Sequence, residues 1–279
     1  MTITYESLKD STVVSLRHAI RRGEYTSHTA GLGTGMLQAN LAIMPQSHAL
    51  DFMRFCQRNP KPCPLSGVSD TGNPMMFTLG ADIDIRTDVP SYNIYRDGVL
   101  DRTVTDICDL WQDDFVAFAL GCSFTFENAL QQAGIPLWHI EHNKTVPMFR
   151  SGIETVPAGP FSGKMVVSMR MMPEDRVAHA VEISRKYPLA HGAPVHFGDP
   201  TDIGISDLNR PDWGDAAPVH EGHVPVFWAC GVTPQVAIEA AGLPLCITHQ
   251  PGNMLITDVS EFAEIPNYQS NTVFRGEQQ

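Results

Sequence analysis

Two stretches of the chain look like copies of one unit, and they limit the folds open to it. The first runs Val116-Ala-Phe-Ala-Leu-Gly121-Cys122-Ser123-Phe-Thr125-Phe-Glu127 and closes at Ala133-Gly134-Ile135-Pro136. The second runs Val226-Phe-Trp228-Ala-Cys230-Gly231-Val-Thr233-Pro234-Gln235 and closes at Ala241-Gly242-Leu243-Pro244. Each has an apolar run, a glycine beside a small polar residue, a helical segment, then Ala-Gly-(Ile/Leu)-Pro and a second strand. The apolar run fits a strand buried on both faces. Gly121 and Gly231 permit a sharp turn with close backbone approach. Thr233 suits an N-cap and Pro234 the first helical position. Gly134 and Gly242 suit left-handed C-caps, each followed by a proline. A strand–turn–helix of this kind leaves backbone N–H groups free at the helix start, where an anion or a developing oxyanion can sit. Duplication is one reading; two unrelated βα units would show the same pattern.

Around this pair the chain alternates helices and strands. Residues 7–22 and 47–58 show helical periodicity, the first ended by Gly23 and the second by Asn59-Pro60. The glycine loop Ala30-Gly-Leu-Gly-Thr-Gly35 precedes a strand at 38–44. A dinucleotide fingerprint needs strand, glycines and helix in that order, so no nicotinamide site is expected. Asp97-Gly98 predicts a hairpin into Val99–Val104. Residues 137–141 are expected as a strand, as are 164–172, and Pro173 opens a helix through Lys186. The expected fold class is α/β, a three-layer sandwich with internal βα duplication plus a smaller inserted two-layer α/β domain. Residues 1–145 and 215–279 would form the main domain and 146–214 the inserted one. The strands at 116–120 and 226–230 would then share a sheet.

A formal net charge of −12 argues against nonspecific binding to nucleic acid and against attraction to an anionic membrane. A local arginine cluster could still hold an anionic substrate. No run is long and apolar enough to span a bilayer, and the N-terminus lacks the apolar region of a secretory signal. Cys56, Cys63, Cys108, Cys122, Cys230 and Cys246 show no regular spacing, so free thiols in a reducing cytoplasm are expected.

The candidate chemistry falls into several groups. Cys122 follows Gly121 at a helix start, which can lower a thiol pKa, although a buried cysteine is more often a small hydrophobe. Ser123 and Thr233 are caps that could also donate to a ligand. Glu141 and His249 hold matching places after the two copies, near strand ends where open α/β sheets bind ligands. The loop His191-Gly-Ala-Pro-Val-His196 brings two histidines toward Asp199. Arg58, Lys61, Arg86, Arg150 and Arg170 could clamp carboxylates. His139-Ile-Glu141-His142 and His220-Glu221-Gly-His223 lack the spacing of a metal motif, and no metal is expected.

Several segments together resemble the YcsI-like hydro-lyases, related to mammalian D-glutamate cyclase. They are Gln38-Ala-Asn40-Leu, Phe55-Cys-Gln-Arg-Asn-Pro-Lys-Pro-Cys-Pro64, Asp84-Ile-Arg-Thr-Asp88, Leu120-Gly-Cys-Ser-Phe124, His139-Ile-Glu141, Val146-Pro-Met148, His191-Gly-Ala-Pro-Val-His196, Phe227-Trp-Ala-Cys-Gly-Val-Thr-Pro-Gln235 and Ile247-Thr-His249. The resemblance implies a bacterial cytoplasmic protein of two α/β subdomains, with a lyase activity and no cofactor. The reaction it implies interconverts D-glutamate and 5-oxo-D-proline. Its site must hold a carboxylate, keep an amine neutral, stabilise an oxyanion and protonate a leaving oxygen. On this reading Glu141, His249 and Cys122 are the candidate catalytic residues. Ser123, Thr233, Arg58, Arg150, His191 and His196 are candidates for binding a small anionic substrate. A homo-oligomer is compatible with the reading. A noncatalytic protein that binds a small amino acid or carboxylate needs the same anion cradle and stays open as the alternative.

Overall fold

The computed structural model describes residues 3–142 and 144–263. The chain begins with α1 (Tyr5–Leu8) and α2 (Val13–Arg21), then β1 (Met36–Pro45), α3 (Gln46–Arg58), β2 (Leu65–Val68), β3 (Tyr92–Arg96), β4 (Val99–Val104) and β5 (Phe115–Gly121). After β5 come α4 (Phe124–Gln132), α5 (Trp138–Glu141), β6 (Met148–Glu154), β7 (Lys164–Pro173), α6 (Val177–Arg185), β8 (His196–Phe197) and β9 (His223–Ala229). The last elements are α7 (Val232–Ala241), β10 (Cys246–His249) and β11 (Leu255–Ser260). No helix among the described residues is long and apolar enough to cross a membrane.

The strands form two sheets. The larger runs β2-β5-β1-β10-β3-β4, with β11 also paired to β1; the smaller runs β6-β7-β9-β8. Every pairing is antiparallel. The α/β class holds, but β5 lies in the larger sheet and β9 in the smaller. The two similar stretches are therefore not neighbouring units of one sheet, and the expected duplication within a single sheet is corrected. Both stretches do show the apolar, fully buried strand expected of them: β5 is buried throughout, and so are the last four residues of β9. An apolar run specifies burial, not the sheet that buries it.

β1 is the central strand and alternates between two cores, as period two requires. Leu37, Ala39, Leu41 and Ile43 enter one core with Ile83, Ile85, Phe115 and Ile247. Ala42 and Met44 enter the other with Phe52 and Phe55 of α3 and Ala237 and Ile238 of α7. Phe52 meets Phe118 and Phe161 edge-on at 4.9 and 5.1 Å between ring centres, a favoured aromatic geometry. Asp97 (φ 50) and Gly98 (φ 77) make the expected turn between β3 and β4.

The helices after β5 and β9 each cross to the opposite half. α4 leaves the larger sheet and packs Phe126 and Leu130 against Met172, Val226 and Trp228 of the smaller one. α7 leaves the smaller sheet and packs Ala237 and Ile238 into the core of the larger. This exchange brings both helix starts to the junction of the two sheets.

Two local expectations change and one holds. Residues 138–141 are the short helix α5, where a strand was expected. α7 starts at Val232, one residue before Thr233, with Gly231 at its N-cap and no capping side chain. The Thr233 hydroxyl instead accepts from Val166 N–H at 3.0 Å, tying α7 to β7. Gly134 (φ 72) and Gly242 (φ 61) take the left-handed conformation expected at the helix ends.

Candidate active site

Asn40 joins the two helix starts. Its side chain amide donates to the carbonyls of Leu120 and Gly121, both at 3.1 Å. A Cβ added to Gly231 would lie 2.2 Å from Asn40 Nδ2, so the second turn passes directly over the same amide. Gly121 is needed for a similar reason. A Cβ there would lie 1.6 Å from the carbonyl oxygen of Leu189, which seats the segment before His191 against the first turn.

Arg170 lies at the centre of this junction. It projects from β7 with Val166, Ser168 and Met172 on the face that meets α4 and α7, and its side chain is 1% exposed. Arg170 Nε and Nη2 both donate to Glu127 Oε1 of α4, Nε at 3.2 Å. Nη2 also reaches Ser123 Oγ at 3.2 Å, and Nη1 reaches Ser168 Oγ at 3.0 Å. His139 of α5 lies with Nε2 2.9 Å from the same Glu127 oxygen. A carboxylate oxygen accepts only, so His139 Nε2 carries the proton. The Trp228 and Phe126 rings lie together beside the guanidinium, their centres 5.3 and 5.4 Å from Cζ and 5.5 Å from each other, within cation–π range.

Burial alone would raise the Glu127 pKa. The charges of His139 and Arg170 and their hydrogen bonds outweigh it and hold the carboxyl at about 2. Glu127 is thus ionised at neutral pH. His191 is buried, and its pKa falls to about 4, chiefly by burial and further through the charges of Arg170 and Lys61. Its Nδ1 lies 2.8 Å from the Lys61 carbonyl. Its backbone is left-handed (φ 73), an unusual conformation for a residue with a side chain. Burial pushes the Cys122 thiol up to about 12 and the Cys230 thiol up to about 11. Both sulfurs are protonated at neutral pH, whatever their helix starts contribute.

Of the residues singled out from sequence, Cys122, Ser123 and His191 meet around Arg170. Thr233 lies at the second helix start but is engaged with β7. His249 is buried on β10, where its Nδ1 accepts from Leu41 N–H at 3.1 Å. That bond fills the place on β1 between its pairings with β10 and β11. Glu141 is exposed on α5, while His139 on the same helix points inward. The matching places expected for Glu141 and His249 are not observed, because one stands on a helix and the other on a strand. Arg58 is exposed and donates to the Pro157 carbonyl. Arg150 lies 4.8 Å over Trp213 beside Asp212 and Glu239, at the surface. His196 binds the carbonyl of Asp199 at 2.7 Å within its own loop.

Glu127 and Ser168 were not singled out from sequence, and His139 only within a metal-like motif and a segment of the family resemblance. A usable signal was present. Arg170 interrupts the apolar strand Met165-Val-Val-Ser-Met-Arg-Met-Met172 on the same face as Ser168, and a charge there must be paired.

Fold and site define a class: an antiparallel α/β protein with an enclosed arginine–carboxylate–histidine cluster where two helix starts meet. Residues 116–258 match the D-glutamate cyclase family. That segment contains Cys122, Ser123, Glu127, His139, Arg170, His191 and Trp228, whereas Asn40 and Lys61 precede it. A "Putative hydro-lyase" of Dinoroseobacter shibae is 77% identical over 94% of this chain and 87% of its own length. "Putative hydro-lyase SPO1111" of Ruegeria pomeroyi is 72% identical over 95% of this chain and 97% of its own. A third relative, also named "Putative hydro-lyase", from a Jannaschia species, is 64% identical over 92% of this chain and 96% of its own. The chain belongs to the D-glutamate cyclase-like family of hydro-lyases.

Proposed function

We propose that the protein interconverts an acidic amino acid and its cyclic dehydration product, D-glutamate and 5-oxo-D-proline, at the Arg170 cluster. The observation that supports this reading is the enclosure of Arg170, Glu127 and His139 together. A buried ion pair is seldom kept for stability alone, since apolar residues of similar volume fill such a space as well or better. An enclosed cation held by an ionised carboxylate is instead an arrangement that a site for an anionic substrate requires.

In the forward direction the amine nitrogen bonds to the side-chain carboxyl carbon and a C–O bond breaks. The ammonium gives up two protons, and the departing oxygen takes two and leaves as water. Arg170 and the two helix starts favour the substrate's negative charge, each helix start by about 0.3–1 kcal/mol when exposed and more when desolvated. His139, its Nε2–H held by Glu127, would give a proton to the departing oxygen through Nδ1. Ser123 orients the guanidinium on the substrate side. None of these steps calls on a cofactor.

The test is to incubate purified protein with D-glutamate, L-glutamate and each 5-oxoproline, following the mixture by NMR. Interconversion of the D pair is expected. Binding without turnover would identify a carboxylate-binding protein instead, and neither binding nor turnover would remove acidic amino acids as ligands.

A further inference from the structure

We infer that His191 and Trp228 engage the reacting atoms themselves, His191 Nε2 accepting from the substrate nitrogen and Trp228 Nε1–H donating to the carbonyl oxygen. This rests on the proposed reaction and assigns two of its roles. Both atoms are buried side-chain atoms with no hydrogen-bond partner among the described residues. His191 is 2% exposed and Trp228 0%.

They are complementary. The Lys61 carbonyl can only accept, so His191 Nδ1 carries the proton and a neutral ring leaves Nε2 as a bare lone pair. The indole Nε1–H can only donate. Both residues border Arg170. The Trp228 ring lies 5.3 Å from its Cζ, and the Arg170 charge acts on His191. Ala190, which precedes His191, packs in the same apolar cluster as Trp228. An unmet buried donor or acceptor is costly, so a site retaining one of each fits a ligand that supplies the opposite pair.

A lactam supplies that pair on one edge, an N–H beside a C=O. The open-chain acid carries the same two atoms as the attacking nitrogen and the oxygen of the attacked carbon. His191 would thus take a proton as the N–C bond forms. Trp228 would donate to the oxygen as it gains charge, the role of an oxyanion-hole donor. Neutral His191 suits this task, because only the unprotonated ring can accept.

The test uses ¹⁵N-labelled full-length protein, with the Trp228 indole resonance assigned by its loss in Trp228→Phe. 5-Oxo-D-proline is expected to move that resonance. Cyclopentanecarboxylate, which keeps the ring and the carboxylate but lacks the amide, is expected to leave it in place. By calorimetry, Trp228→Phe should weaken lactam binding about tenfold and leave cyclopentanecarboxylate unchanged. His191→Asn, which tolerates the left-handed backbone, should show the same selectivity and guards against a packing defect in the first variant. An unmoved indole resonance at saturating lactam, or equal loss of both ligands in both variants, overturns the inference. Turnover of D-glutamate with an unmoved resonance would sink the inference alone. A moved resonance without turnover would sink the reaction and keep the assignment of the two contacts.

Discussion

Arg170 is enclosed together with the protein groups that hold it, Glu127, Ser123 and Ser168. The contrast is Arg17, also buried, whose partners Asp82 and Asp258 are 32% and 36% exposed. Arg17 fastens α2 to the sheet from the surface; Arg170 has no such outlet, and its charge is balanced inside. Glu127→Gln therefore leaves an uncompensated guanidinium and should cost about 3–5 kcal/mol in urea unfolding. If the cost is under about 1 kcal/mol, the charge is not confined as described. On α5 the two acid–base candidates separate cleanly. His139→Gln should lower turnover about 10²–10⁴-fold with folding intact, whereas Glu141→Gln, at an exposed position, should stay within about twofold. The reverse order in a rate assay would return the proton-transfer role to Glu141. Arg170 was visible in sequence as a charge within an apolar strand. Glu127 was not, because its partner lies 43 residues away on another element and only folding joins them.

At the scale of elements, the site depends on where α4 and α7 begin. Each helix follows a strand of one sheet and packs on the other, so both starts lie at the junction instead of on opposite sides. Gly121 keeps that junction closed through its missing side chain, not through an unusual φ. Gly121→Ala sets a methyl against the Leu189 backbone, which cannot rotate aside as a side chain could. A loss of about 1–3 kcal/mol or more is expected in thermal or urea unfolding, with weaker ligand binding as His191 is displaced. An alanine variant of unchanged stability and affinity would mean that the segment 188–191 moves freely. Gly134→Ala, by contrast, has open space around its Cβ and loses only the ease of a left-handed C-cap. Thr233 shows why a cap was misassigned: its sequence neighbours favour an N-cap, but a backbone N–H of β7 needed its hydroxyl.

Across the whole molecule, stability should depend on pH through three buried groups. His191 and His249 are held at about 4, below the ordinary histidine value, chiefly by burial. Above pH of about 6.5 both folded and unfolded states carry them neutral, and they have no effect. As pH falls from there toward 4, the unfolded chain binds protons that the folded one refuses, and stability drops by up to about 1.4 kcal/mol per pH unit for each histidine. Glu127, held at about 2, contributes stability that is fully present above its ordinary value of 4.5 and is lost as pH falls from there toward 2. Urea midpoints measured from pH 7.5 to 4 should fall on the acid side, and His249→Gln should flatten part of that slope; a pH-independent midpoint would show that these histidines titrate normally. The sequence by itself determined the apolar strands, the glycine-ended helices, the Asp97-Gly98 hairpin and the α/β class. Each of these rests on contacts within a few residues or on a period that any core enforces. Only the tertiary structure decided that β5 and β9 belong to different sheets and that their helices exchange halves. It also decided which arginine, carboxylate and histidine meet. An apolar strand can satisfy its hydrogen bonds in either sheet, and a buried charge is stable beside any well-placed partner, so the choice among them is made by the packing of the whole chain.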